Sequence, residues 1–172
     1  MCDKCDGNTG DPTRREFLAR IARHDYTMVR VREQRARDGG WVAPGFVYSV
    51  GLWSFHRAPD AIVVGAPGRH GAEVVRRYAE LVRTGRRFRP GGPFPDLLPG
   101  PGAMVELVAP ALYREWFVSA FDFYPSGDFP AYQLLWPDRD GVWPWQHEWR
   151  RQVVPQPVLT ASGRPESWEV HV

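Results

Sequence analysis

Apolar positions along this chain change their spacing several times, and each change marks an element. After Asp11-Pro12, where an Asp can cap a helix and a Pro fits its first turn, Phe17, Leu18 and Ile21 recur at helical spacing; this predicts a helix over 13–24. Tyr26, Met28, Val29 and Val31 then predict a strand over 26–33, and the Arg- and Gly-rich stretch 34–45 reads as a loop. The aromatic and β-branched run from Phe46 to Trp53 predicts a strand, and the short apolar run from Ala61 to Gly65 a buried one. Val74, Val75, Tyr78, Leu81 and Val82 repeat at steps of three and four, which predicts a helix over 69–84 ended by Gly85. Residues 85–102 hold five Pro and five Gly and read as a long loop. A strand follows over 103–108, a helix opened by Pro110 runs through Trp116 to about Phe121, and a last strand over 131–136 stops at Pro137-Asp138.

Three helices and five strands, with the strands in runs rather than in strict alternation with helices, predict an α+β fold around a mostly antiparallel or mixed sheet. There is no internal repeat and no internal boundary. The expected organisation is an irregular N-terminal segment over 1–12, one domain over 13–150, and a Pro-rich extension and C-terminal tail over 151–172.

Composition narrows this further. At 172 residues the chain can bury a core of its own, and with 43% apolar and 24% charged residues it has ordinary globular usage. Collagen, disulfide scaffolds and long coiled coils are excluded. No apolar run is long enough for a membrane span, so none is expected, and without a basic-then-apolar leader the expected compartment is the cytoplasm. Lys4 is the only Lys beside 21 Arg, and Arg69, Arg76, Arg77, Arg83, Arg86, Arg87 and Arg89 gather on the 69–84 helix and its exit. Such a cluster matches phosphate or carboxylate, or forms a solvated helix face; with a net charge of only +2, nucleic acid is not expected as a partner.

Candidate chemistry lies in three places. Cys2 and Cys5 form a C-x-x-C pair, half of a tetrahedral zinc site that His24 or another His would have to help complete; reduced, non-ligating thiols are the alternative. A thioredoxin-like role lacks its strand–helix frame, and an N-terminal Cys2 nucleophile would need a terminus set on a strand. Second, Tyr48, His56 and Asp60 flank the end of the 46–53 strand, where loops carry polar chemistry, and Gly51 inside that strand marks a bulge or close approach. Third, Trp136, Trp143, Trp145 and Trp149, four of the eight Trp, crowd together with Pro137 and Pro144, and with Gln133 they form a candidate ligand wall or a rigid flap over the core. P-loop, Rossmann, nucleophile-elbow and zincin signatures are all missing.

Met1-Cys2 to Cys5-Asp6, Ile21 to His24, Tyr48-Ser49-Val50-Gly51-Leu52 with Pro59-Asp60, and Gln133 to Asp138 followed by Gly141 to Trp145 together resemble a bacterial family catalogued as domain-of-unknown-function family 4262. The family usually has Gly-Trp where this chain has Asp25-Tyr26, and His-Pro-Glu where it has Ala58-Pro59-Asp60. The resemblance implies a stand-alone bacterial domain and brings no activity with it. The leading expectation is a small-ligand binding domain, its pocket set between the 46–53 strand, the 85–102 loop and the Trp-rich stretch. As an accessory enzyme it would use His56, Tyr48 and Asp60, with zinc as the candidate cofactor. The alternatives are a protein-interaction module of the immunity or regulatory kind and a structural zinc protein.

Overall fold

The computed structural model describes residues 12–149 and 155–167. Helix α1 (Pro12–His24) leads into strand β1 (Thr27–Val31), a two-stranded ribbon of β2 (Gln34–Arg35) and β3 (Trp41–Ala43), and strand β4 (Phe46–Val50). The short helix α2 (Leu52–His56), strand β5 (Asp60–Val64) and helix α3 (His70–Arg83) follow. Strands β6 (Gly91–Phe94) and β7 (Ala103–Leu107), helix α4 (Tyr113–Trp116) with a 3₁₀ turn on either side, and strand β8 (Ala131–Leu135) complete the order. One mixed sheet runs β1-β4-β5-β8-β7-β6, in which only the β5–β8 pair is parallel. The architecture is the expected α+β domain. No helix among the described residues is long and apolar enough to cross a membrane.

The sheet has a core on each face, which is why every residue of β5 is buried. On one face α3 lays Val74, Val75, Tyr78, Ala79 and Val82 against Val47, Ala61, Val63, Val105 and Leu134. On the other, Tyr48, Val50, Ile62 and Val64 meet an aromatic layer of Tyr113, Phe117, Tyr124 and Phe129, together with Ile21 of α1 and Leu159. The strict alternation along β4 and β5 sorts these two sets.

Four expectations need correction. The 34–45 loop contains the β2–β3 ribbon, which is short and exposed enough to carry little apolar pattern. The 85–102 loop contributes β6, an edge strand; Pro93 has no N–H to donate, and only an edge tolerates that. The single helix expected over 110–121 is broken at Phe117, which leaves helical dihedrals (φ −122°, ψ 41°) to bury its ring against Tyr48, Tyr113 and Phe129. The strand expected over 46–53 also ends early, because Gly51 at φ 119° turns the chain into α2.

Residues 155–160 lie on the sheet as a strap. The buried Gln133 side chain donates to Pro157 O and accepts from Leu159 N, both at 2.7 Å. Gln156 brackets the Trp136 backbone in the same way, and Ala109 N donates to Leu159 O. Farther on, the buried Glu106 carboxylate accepts from the backbone N–H of Glu166 and Ser167 and from the Ser167 hydroxyl. Gln133→Ala would leave a buried donor and acceptor unpaired, with an expected loss of about 2 kcal/mol. Hydrogen exchange should show the Leu159 amide losing protection while the Ile62 and Val63 amides keep theirs; an unchanged Leu159 amide would refute the strap's dependence on Gln133.

Candidate functional site

Asp60 opens β5 with its side chain fully buried, beside the turn from β4 to α2. One carboxylate oxygen accepts from Ser49 Oγ at 2.8 Å and Leu52 N at 3.1 Å, the other from Tyr124 Oη at 2.8 Å and Gly51 N at 3.3 Å. Gly51 N also reaches Tyr124 Oη, and Ala61 N donates back to Ser49 Oγ. Burial pushes the Asp60 carboxyl up from 3.8 to about 6, and the hydrogen bonds from Ser49, Tyr124, Leu52 and Gly51 hold it from rising further. Burial also raises Tyr124, reinforced by the neighbouring Asp60 charge.

Tyr48 and His56 are engaged elsewhere. Tyr48 is buried under the aromatic layer, where its hydroxyl accepts from Ser119 N at 3.0 Å; burial raises its ionisation against that bond. His56 ends α2, and its Nε2 lies 3.3 Å from Asp25 Oδ2 without the alignment of a hydrogen bond. Arg83 reaches the same Asp25 oxygen at 3.8 Å, and Arg87 donates to the His56 carbonyl at 2.9 Å. Among the described residues no hydrogen bond or ion pair joins any two of Tyr48, His56 and Asp60. The sequence reading missed Tyr124 as Asp60's partner and Asp25 as that of His56. A signal existed for Asp25: it follows α1 at φ 69°, a position where helices usually place Gly and where the resembled family has one.

Trp136 and the residues around it gather at the other end of the same strands. The Trp136 indole N–H donates to Val64 O at 3.0 Å, and its ring meets Trp149 edge-on at 5.6 Å. Trp116 packs on Phe46 at 4.9 Å, and Phe46 and Val64 are cross-strand partners. Because β8 runs parallel to β5, Trp136 leaves the sheet where β5 stops, roughly 13 Å from Asp60 at about 3.3 Å per residue. Tyr48 and Trp136 also pack on opposite faces of the sheet. Trp143 and Trp145 stack on each other at 5.3 Å, and Gln133 is committed to the strap.

A groove of about 560 Å³ opens at this end. It is lined by Val42 and Ala43 of β3 and the Pro44 that follows, Glu115 and Trp116 of α4, Pro144, Trp149, and the strap residues Pro155, Gln156 and Pro157. Two grooves of about 350 Å³ flank β1. One is lined by Arg30, Arg32 and the glycines before and within the start of α3, the other by residues of α1, β1 and the second 3₁₀ turn. Of the residues expected to hold a metal, His24 is exposed at the end of α1, and Cys2 and Cys5 lie outside the described residues. No group of three or more metal-ligating side chains occurs among the described residues.

A family model described as "Domain of unknown function (DUF4262)" matches residues 20–150, well over half of the chain. No curated protein and no solved structure matches it.

Proposed function

We propose that this chain, which belongs to the DUF4262 family, is a small-ligand binding domain whose site is the indole-and-proline groove between β3, α4 and the C-terminal strap. One observation carries the reading: two half-buried indoles, Trp116 and Trp149, and four prolines from separate parts of the chain wall a single concavity of about 560 Å³. Small-molecule sites commonly measure about 300 to 1,000 Å³, with apolar walls and few polar groups. Prolines hold such walls at little further entropic cost, since their backbone is already restricted. Neither indole N–H is hydrogen-bonded among the described residues, and each is a donor that a ligand's acceptor can use.

The test is protein-observed NMR with a set of monocyclic aromatic and amine fragments, using protein labelled at its tryptophan indoles. Binding fragments are expected to shift the Trp116 and Trp149 indole N–H signals together and to leave Trp41 unmoved. Trp149→Leu should weaken those fragments by about tenfold, as expected when a stacking face is removed. Fragments that shift other indoles, or none, would refute the groove as the site.

A further inference from the structure

Building on that reading, we infer that the ligand carries a quaternary ammonium group, held against the indole faces with the Glu115 carboxylate as its counter-ion. The argument begins with charge. Glu115 is the one charged side chain among the described residues lining the groove, and it makes no ion pair among the described residues. Asp122, Glu16, Glu33 and Asp96 are matched by Arg14, Arg20, Arg35 and Arg86, whereas Glu115, like Glu80 and Asp128, has no such match among the described residues; of these unmatched acids it is Glu115 that lines the groove. Arg114, next to Glu115 in sequence, is turned over the Phe121 ring at 4.8 Å. A carboxylate at the rim of an apolar groove favours a cation and repels an anion.

The second step concerns which cation. Indole is the strongest aromatic partner for a positive charge, and two indoles line this groove. A primary ammonium brings three N–H donors and is strongly hydrated, so it needs acceptors in place of its lost water. Apart from Glu115, the side chains of the groove offer few. The Gln156 amide is already committed, its oxygen to Trp136 N and its nitrogen to Trp136 O, and proline side chains accept nothing. A trimethylammonium head has no donor to satisfy, spreads its charge over methyl groups, and packs those methyls on prolines and indoles. It is the cation whose requirements these walls meet. The occupant is therefore a small free quaternary ammonium compound.

The test uses the full chain and two probes of equal shape, choline and its uncharged isostere 3,3-dimethylbutan-1-ol, titrated by calorimetry and followed at the indole N–H signals. Choline is expected to bind about tenfold more tightly than the isostere, the order expected of a desolvated cation–π contact with a counter-ion. Glu115→Gln, an exposed and conservative change, should weaken choline by about threefold to tenfold and leave the isostere unchanged. Equal binding of the two probes, or a Glu115→Gln chain that binds choline as wild type does, overturns the cation while leaving the groove as a site. If neither probe shifts Trp116 or Trp149 although aromatic fragments do, the cation again fails alone. If probes and fragments all leave both indoles unmoved, the groove reading falls with it.

Discussion

Asp60→Ala is expected to lower the free energy of unfolding by about 3 kcal/mol. The substitution removes the acceptor shared by Ser49, Tyr124, Gly51 and Leu52. The two hydroxyls can turn to new partners, and Gly51 N keeps its contact with Tyr124 Oη, but Leu52 N is left buried and unpaired. In a chain of this size the loss corresponds to a melting temperature lower by roughly 9 °C. A loss below about 1 kcal/mol in urea unfolding would refute the carboxylate as the hub of the β4–α2 turn. The same group predicts a pH dependence. Its native ionisation lies near 6, against 3.8 for an ordinary aspartate. Between those values the native state therefore holds a proton that the unfolded chain releases. Its contribution is fully present below pH 3.8 and is lost as the pH rises through 6, by about 3 kcal/mol in total. Asp60→Asn cannot ionise, so the stability of wild type relative to Asp60→Asn should fall by that order between pH 3.5 and pH 7. A difference that stays flat over that range would contradict the shift.

Gly51→Ala is expected to cost about 4 kcal/mol, more than the carboxylate itself. Gly51 stands at φ 119°, which L side chains rarely adopt, and a Cβ there would lie 2.6 Å from the Asp25 carbonyl oxygen and 3.0 Å from Ile21 Cγ2. The carbonyl belongs to the backbone of the turn after α1, so relieving the clash moves that turn away from β4. The movement would also draw Gly51 N off Asp60 and Tyr124 and disturb the contact between Asp25 and His56. Gly39→Ala is the control: φ there is 84°, also left-handed, but no atom lies within 4 Å of the added Cβ. It should cost about 1 kcal/mol, the backbone penalty alone. Equal losses at the two positions would show that the close approach to Asp25 is unimportant.

Much of the fold was legible because burial leaves a period in sequence. The run from Phe46 to Val50 and the apolar stripe of α3 announced themselves, and Pro12 announced the first helix. What stayed hidden had no period. The strand β6 is four residues with two glycines and a proline, recognisable only by its pairing with β7. Phe117 reads as one more helical position until the ring it must bury against, Tyr48, is in place. Of the candidate site, the crowding of tryptophans was visible in the sequence. Their partners in the groove, Glu115 and Trp116, were not, because nothing in the α4 sequence says that it meets the end of the β2–β3 ribbon.

The sequence by itself determined where the main helices and strands lie, that they make an α+β fold, and that polar candidates cluster up to the start of β5 and tryptophans after β8. The tertiary structure alone decided whether those two groups meet. Alternation and β propensity state which residues face a core, and they are the same whichever way a neighbouring strand runs. Had β8 paired antiparallel to β5, Trp136 would have left the sheet beside Asp60 and His56, as the expected pocket required. The parallel pairing, Asp60 with Ala131 and Ile62 with Gln133, is set by the long crossover through α3, β6, β7 and α4, and it carries Trp136 to the opposite end. There Trp116 and Trp149 join Glu115 and the prolines of the strap, and the groove forms away from the buried aspartate.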